Sequence, residues 1–315
     1  MTKPQVLSKS GVLSAVLDRP YVLVVLAPLF WGGNMVAGKL AVGQVDPYTL
    51  SVLRWLGALL ITLPFAWRPL QKDWPVLRRH WPILALYGAL GYTTFNVLMY
   101  LAAYFTSAVN SSIEQALIPV LVMIANFLVF GVRAKALQIV GVVITIIGIA
   151  ITASHGDFGR VLALTINQGD ALVVLACVAY AIYSLALRFR PPIHWMSFLV
   201  ATFVAALVTG YIFQVFFGGG ALAILPGVEH TTPLGWLIIV YVAFFPSVLS
   251  QLFYARGVEL IGPNRASLFI NLIPVFGTLL SLLVLSEPLE TYHLVTAALV
   301  LIGIVLAEYA ARRRA

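Results

Sequence analysis

The sequence predicts an all-α integral membrane protein with ten transmembrane helices, arranged as two inverted repeats of five helices. Composition is the first observation, because 61% of the residues are hydrophobic and 10% are charged, against about 25% charged in a soluble domain. Apolar runs of bilayer length recur along the whole chain, and a phrase of the first half returns in the second. The runs show no alternation of polar and apolar residues, which favours helices over a β-barrel.

Ten apolar segments are long enough to cross a bilayer, which takes about 20 mostly apolar residues. Residues 1–20 are polar and mixed, and they predict a cytoplasmic N-terminal segment that is not a removable signal peptide. Residues 310–315 predict a basic cytoplasmic tail. The first repeat is expected to cover 21–153 and the second 169–309. In chain order, the ten segments are 21–43, 47–67, 82–105, 108–130, 134–153, 169–189, 194–217, 234–254, 265–285 and 290–309.

The basic residues predict the orientation of these helices. With ten crossings, both termini lie on one side of the membrane. All but three of the 19 Lys and Arg residues then fall on that side, because Lys39 and Arg160 lie on the opposite face and Arg54 lies within segment 2. Cytoplasmic loops carry the excess of positive charge, so both termini are expected in the cytoplasm. The net charge of +8 follows from this bias, and no nucleic-acid partner is expected.

A repeated phrase predicts the duplication. Leu-Ile-Pro-Val occurs at residues 117–120 and again at 272–275, and the same offset matches Gly148 with Gly303. Each half then holds five crossings. Because five is odd, the second half crosses the membrane in the opposite sense to the first. Inverted repeats of this kind are a recurrent construction of secondary transporters, whose halves exchange conformations around a shared site.

The two matched prolines, Pro119 and Pro274, predict bends in segments 4 and 9. A proline within a helix removes one hydrogen-bond donor and crowds the carbonyl four residues earlier. Pro119 would thereby free the carbonyl of Gln115. Inside a membrane such a carbonyl needs a new partner, so the bends either line or gate a polar cavity, or are simply packed kinks.

Three stretches carry a resemblance to a known family: FWGGNMVAGK at residues 30–39, TSAVNSSIEQALIPV at 106–120 and GPNRASLFINLIPVFGTLLSLLVLSEPL at 262–289. The chain resembles the EamA-like branch of the drug/metabolite transporter superfamily from about residue 21 to 309, and within it the YddG-type aromatic amino acid exporters. This resemblance implies a ten-helix basket around a central cavity, with segments 5 and 10 at its periphery. It also implies export of amino acids, aromatic or broadly neutral, and related metabolites across the bacterial inner membrane by alternating access.

Arg54 and Glu114 are the two charged candidates within the apolar segments, each about 10 Å below the external end. Charges at such a depth are costly and are functional candidates by default. The two side chains could form a structural ion pair between segments 2 and 4. Alternatively, Glu114 receives the ammonium group of a zwitterion or exchanges a proton, while Arg54 or backbone amides hold the carboxylate.

Further substrate-cavity candidates are polar or aromatic residues within the apolar segments. Asn34 follows two glycines that serve either close packing or substrate access. Tyr92, Asn96 and Tyr100 recur at intervals of four and form one helical stripe. Aromatic faces with a few polar tips suit a small amphipathic molecule, although tyrosines near helix ends also occur at the membrane interface. The other candidates are Trp31, Tyr180, Tyr183, Gln251, Tyr254 and Asn271.

Several functions are not expected from this sequence. The five histidines show no metal-ligand spacing, the chain has one cysteine, Cys177, and it has no P-loop. We therefore expect no metal, no cofactor and no enzymatic activity. The hypotheses are an exporter of amino acids or related metabolites, an exporter of amphipathic drugs or cations, and, third, a membrane-embedded enzyme or receptor. The expected partners are a small-molecule substrate and membrane lipid, with the protein as a monomer or weak homodimer.

Overall fold

The computed structural model describes residues 19–131, 135–154, 156–157, 167–261, 266, 269–270 and 272–312. All regular structure in these ranges is helical. Most of the predicted N-terminal segment, the last three residues of the tail and the candidate Asn271 lie outside the described residues. The helices are α1 (Pro20–Leu40), α2 (Pro47–Arg79), α3 (Trp81–Ala102), α4 (Ala108–Glu114), α5 (Leu117–Phe130), α6 (Ala136–Ala153), α7 (Gln168–Ala186), α8 (Trp195–Phe217), α9 (Ile224–Glu229), α10 (Pro233–Ile261), α11 (Ile273–Leu285) and α12 (Thr291–Arg312).

The membrane prediction is confirmed in its main feature. Within the described ranges, seven helical stretches are long and apolar enough to cross a bilayer, with α4 and α5 together forming one of them. Three shorter apolar helices, α6, α11 and α12, occupy predicted segments 5, 9 and 10. The structure is therefore that of an all-helical, multi-pass membrane protein, while the arrangement as two inverted five-helix repeats stays a prediction.

Local sequence signals determine where the helices begin and end. Asp46 caps α2, accepting a 2.8 Å hydrogen bond from the amide of Thr49, and Pro47 occupies the first helical position. Ser107 caps α4 through a 3.0 Å bond from the amide of Asn110. Gly131 ends α5 in the left-handed conformation, with φ of 65°. These side chains satisfy amide groups that a helix end leaves without intrahelical partners.

The helices of the two predicted halves pack closely against each other. α1 contacts both α10 and α11, α2 contacts α8, and α6 pairs with α12. The contact between α1 and α11 depends on Gly32, because a Cβ atom there would lie 2.7 Å from the backbone nitrogen of Gly277. Small residues allow such approach of helices in membranes, where the hydrophobic effect does not drive association.

Two π-helical stretches, which the sequence did not predict, interrupt α3 and α10. They cover Tyr87–Thr94 and Phe245–Leu249. The first ends six residues before Tyr100 and the second five residues before Tyr254. π-helical turns are rare and occur frequently at functional sites. Both stretches therefore identify the third helix of each predicted half as the place to look for a site.

Predicted segment 4 is not one continuous helix. Its α-helix is interrupted at Gln115 and Ala116, between α4 and α5 and shortly before Pro119. The carbonyl of Gln115, which Pro119 deprives of its α-helical donor, accepts a 3.0 Å hydrogen bond from the amide of Ile118 instead. Its new partner is therefore a neighbouring backbone amide, in a tighter turn that precedes the restart of the helix. Pro119 and Pro274 both fall in the first turn of a helix, α5 and α11, where a missing donor costs little. Their role in gating stays a prediction.

Candidate functional site

Arg54 of α2 is the centre of a buried polar cluster, with 3% of its surface exposed. Its Nε donates a 2.7 Å hydrogen bond to the Ser247 hydroxyl on α10. Its Nη1 donates to the amide oxygens of Asn34 on α1, at 2.9 Å, and of Asn96 on α3, at 2.7 Å. The same nitrogen donates to the Tyr100 hydroxyl on α3. We call these five residues the arginine cluster; they come from helices of both predicted halves.

A second layer of hydrogen bonds fixes the groups that accept from Arg54. The side-chain amide of Asn96 donates a 2.7 Å hydrogen bond to the carbonyl of Tyr92, so its oxygen faces the guanidinium. Asn34 donates to the same Asn96 oxygen at 3.2 Å. Ser247 donates 2.8 Å to the carbonyl of Val242, five residues earlier, within the irregular turn of α10. The acceptors are therefore oriented before any ligand arrives, as a precise binding site requires.

The positive charge of Arg54 has no acidic partner in the described part of the chain. All four of its hydrogen-bond acceptors are neutral oxygens, and Nη2 donates to no described residue. The ring of Trp55 lies 4.6 Å from the guanidinium carbon and contributes a cation–π contact. Burial of an ion without a counter-ion is unfavourable by several kcal/mol after relaxation, which makes this position a candidate for function.

Of the two alternatives for Arg54 and Glu114, the structural ion pair does not form in this structure, because the described acceptors of Arg54 are neutral oxygens. Glu114 is 1% exposed, but its carboxyl group lies against that of Asp170 on α7. The Cys177 sulfur, also on α7, contacts the Glu114 backbone carbonyl at 3.8 Å. Helix rotation explains this outcome, because Glu114 projects from α4 toward α7 while Arg54 projects from α2 toward α1, α3 and α10.

The predicted aromatic candidates are buried or half-buried, and they divide into two groups. Tyr180 and Tyr183 on α7 pack against each other with ring centroids 5.2 Å apart, and Tyr92 lies 5.9 Å from Tyr183. Trp31 packs against Tyr254 at 5.7 Å and donates a 3.1 Å bond to the carbonyl of Pro246. Gln251 is half-buried, one turn before Tyr254.

The space beside the arginine cluster is small. A cavity of about 10 Å³ borders Asn34, Lys39, Tyr100 and Ser111, which is room for about one water molecule. The central cavity predicted from the family resemblance is therefore closed at this level. A larger space of about 520 Å³ lies at the predicted external surface, between the loop 41–46 and helices α8 and α9.

Two sets of contacts close the predicted external end. Lys39, at the end of α1, donates hydrogen bonds to the carbonyls of Ala103, at 2.7 Å, and Thr106, at 2.9 Å. Glu287, which follows α11, accepts 3.0 Å hydrogen bonds from the amides of Ala108 and Val109 at the start of α4. These bonds tie α1 to α3 and the first predicted half to the second.

Sequence reasoning found three members of the arginine cluster as cavity residues, Asn34, Asn96 and Tyr100, and Arg54 as a charged candidate. It missed Ser247, although Pro246 within an apolar segment signalled an interrupted helix. It also missed Asp170 and Glu287, whose partners are distant in sequence. Among the described residues, no group of three or more His, Cys, Asp or Glu side chains could hold a metal ion.

A buried charged cluster shared by several membrane-spanning helices is the form of a membrane transporter site. The chain belongs to the EamA-like transporter family, whose model matches residues 19–154 and 167–309. It is 27% identical over 291 residues to the uncharacterized transporter YyaM of Bacillus subtilis, covering 91% of this chain and 93% of that protein.

Two other similarities agree with this family. The uncharacterized inner membrane transporter YicL of Salmonella typhimurium is 25% identical over 303 residues, covering 93% of this chain and 96% of that protein. A crystal structure at 18% identity matches with a TM-score of 0.63, over 96% of this chain and 99% of that chain. At such low identity the structural match shows the fold alone. None of these descriptions specifies a cargo or supports the predicted similarity to aromatic amino acid exporters.

Proposed function

We propose that the protein is a secondary transporter that exports amino acids or related small metabolites across the bacterial inner membrane by alternating access. The arginine cluster is the observation that carries this proposal. It offers a cation, two amide groups and a phenol to a small polar solute. The nearby tyrosines of α3 and α7 offer aromatic faces to an apolar body.

An inverted repeat provides the means of exchange between the two sides of the membrane. The family model matches two consecutive segments of the chain, and the irregular turns of α3 and α10 lie at nearly equivalent positions. Both observations support a duplication, and five crossings in each half make the second copy inverted. Because the arginine cluster takes residues from α1, α2, α3 and α10, movement of one half against the other changes its geometry.

The contacts of Lys39 and Glu287 lie on the side that the positive-inside rule assigns to the exterior. They support the interpretation of this conformation as closed to the outside. Alternating access requires these bonds to break when the site opens outward. Because each is made to backbone groups, their partners remain in place after opening and the contacts can form again in each cycle.

Flux into proteoliposomes tests the proposal. We expect amino acids preloaded inside the vesicles to exchange with labelled amino acids outside. In the native membrane, we propose that both termini are cytoplasmic. A panel of amino acids and cationic dyes added as competitors identifies the cargo class. Absence of movement of any solute in either direction would remove transport and favour the hypotheses of an enzyme or a receptor.

An exporter of amphipathic cations is the second candidate. The facing carboxyl groups of Glu114 and Asp170 favour it, because buried acidic groups can receive an organic cation. The variant Glu114→Gln separates the two candidates. Export of cationic dyes should fall in this variant if cations are the cargo, whereas amino acid exchange should persist if the arginine cluster holds the cargo.

A further inference from the structure

We infer that Arg54 binds a carboxylate of the cargo and that an amino group on the cargo contributes little to recognition. The transporter would then accept organic anions as readily as zwitterionic amino acids. This inference rests on the proposed transport function and specifies the class of solute. It also separates the protein from an exporter of cations, for which a buried positive charge is an obstacle.

The first argument is electrostatic. Arg54 has 3% of its surface exposed, and the acceptors of its guanidinium in the described structure are neutral oxygens. A buried charge that lacks a counter-ion is in an unfavourable state that binding of an opposite charge relieves. A carboxylate is the small organic anion that matches the planar fork of arginine. A cationic ligand would add a like charge to the same low-dielectric site.

The second argument comes from the hydrogen-bond geometry. Nη1 carries two N–H groups but lies within hydrogen-bond distance of three acceptors, on Asn34, Asn96 and Tyr100. One of these acceptors is surplus. Nη2 carries two further N–H groups that donate to no described residue. A carboxylate can therefore bind across Nη1 and Nη2, displacing one neutral oxygen while Ser247 continues to hold Nε.

The third argument comes from the charges around the adjoining cavity. Lys39 lines it together with Asn34 and Tyr100, and no acidic side chain is among the residues that line it. Glu114, the acidic candidate for an ammonium group, lies against Asp170 instead. The cavity is too small for cargo in this conformation, and release of Lys39 from the carbonyls of Ala103 and Thr106 would both enlarge it and add a second cation.

Two matched ligand sets test the inference on the wild-type protein. The aromatic set is phenylalanine, 3-phenylpropanoate, phenylalaninamide and phenethylamine, and the small set is alanine, propanoate, alaninamide and ethylamine. Binding is measured as thermal stabilisation of the purified protein and as competition in exchange. Within a set, we expect the two carboxylates to act alike and the two compounds without a carboxylate to be about 10- to 100-fold weaker, the value of a charged hydrogen bond.

Several outcomes would overturn the inference. Equal competition by the amine and the carboxylate would overturn it and leave transport standing, as would inorganic phosphate binding more tightly than either carboxylate. Binding by no member of either set would overturn it as well. Absence of movement of every solute tested would instead overturn the proposed function, so the two failures are distinguishable.

Variants of Arg54 give an independent test. In Arg54→Gln, the affinities for the amino acid and for its amide in each set should differ by no more than about threefold. The charged hydrogen bonds that distinguish the two ligands are lost in this variant. Arg54→Lys keeps the charge but loses the fork, so it should retain part of the preference. Arg188→Gln, at an exposed site over Phe130, is the matched control and should behave as wild type. An undiminished acid preference in a folded Arg54→Gln protein would contradict the inference.

Discussion

Arg54 shows how neutral groups can hold a buried charge in place without neutralising it. Three side-chain oxygen acceptors from α1 and α3 and one hydroxyl acceptor from α10 surround the guanidinium. Each acceptor is itself oriented by another hydrogen bond, so the arrangement is rigid. The charge is left available to a ligand, because hydrogen bonds to amides and hydroxyls stabilise an ion less than a carboxylate does.

At this scale we predict that Ser247→Ala destabilises the protein. The substitution leaves Nε of Arg54 without an acceptor in a buried site, which costs about 1.5–3 kcal/mol for a hydrogen bond to a charged group. Thermal unfolding in detergent measures the effect. Ser184→Ala is the matched control, because Ser184 is half-buried and, among the described residues, its hydroxyl bonds to the carbonyl of Tyr180 in its own helix. Equal melting temperatures for the two variants would contradict the prediction.

Among the helices, the irregular turn of α3 packs directly against the backbone of α8. A Cβ atom on Gly88 would lie 2.5 Å from the carbonyl oxygen of Thr202 and 2.7 Å from the amide nitrogen of Ala206. These are backbone atoms of a packed helix, which cannot move aside as a flexible side chain can. The glycine therefore allows α3 and α8 to pack closely where the polar stripe of α3 begins.

Gly88→Ala is expected to lower the free energy of unfolding by about 1–3 kcal/mol through overpacking. Gly210→Ala on α8 is the control, since its Cβ would make ordinary contacts of 3.6–3.8 Å. That variant should be neutral or slightly stabilising, because alanine favours a helix by up to about 1 kcal/mol over glycine. Comparison of thermal unfolding for the two proteins tests the prediction, which fails if Gly88→Ala is as stable as Gly210→Ala.

The start of α4 is capped by Ser107 and is also held by a side chain from the second predicted half. Glu287 accepts hydrogen bonds from the amides of Ala108 and Val109 at the positive end of that helix. Charge complementarity at a helix N-terminus and the two hydrogen bonds act together there. Loss of this side chain would leave two amide groups unsatisfied where the predicted halves meet.

We predict that Glu287→Ala lowers the free energy of unfolding by about 1–3 kcal/mol. The stability of Glu287→Gln should lie between those of Glu287→Ala and wild type, because one of the two oxygen acceptors remains. Glu290→Gln, at an exposed position three residues on, should have no measurable effect. Thermal unfolding of the purified proteins distinguishes these outcomes, and equal stability of Glu287→Ala and Glu290→Gln would show that the contact does not matter.

For the whole molecule, the decisive question is whether the second half is inverted. The ends of α2 and α8 are equivalent in the proposed repeat, since each is the second helix of its half. An inverted arrangement places Lys72, in the last turns of α2, in the cytoplasm and Ala221, just after α8, outside. The single cysteine of the chain, Cys177, is buried, so an introduced surface cysteine can be labelled selectively.

We therefore expect a membrane-impermeant maleimide to label Ala221→Cys in intact cells. Lys72→Cys should be labelled only after the membrane is permeabilised, because both termini and the end of α2 are expected in the cytoplasm. Wild-type protein, with only Cys177, is the control for background. Labelling of both variants from outside would mean that the halves are parallel and would remove the structural basis of alternating access.

Much of the site depended on contacts that no local pattern carries. The sequence predicted that Tyr92, Asn96 and Tyr100 share one face of a helix, because they recur at intervals of four, and it offered Asn34 as a separate cavity candidate. It identified Arg54 as a buried charged candidate, but it did not predict the neutral oxygens that surround the guanidinium. The bond from Arg54 to Ser247 joins residues 193 positions apart, and its formation depends on how α2 and α10 are rotated and tilted against each other.

The sequence by itself determined that the protein lies in a membrane, that it is helical and that it belongs to the EamA-like transporter family. Apolar length and composition are local properties, and in a bilayer a backbone must bond within its own segment, so the helices follow directly from the residues. Only the tertiary structure decided that Arg54 is surrounded by neutral oxygens, that Glu114 lies against Asp170, and that both matched prolines lie in the first turn of a helix. Those outcomes depend on packing between helices, where similar apolar surfaces permit many rotations and a few close contacts select one.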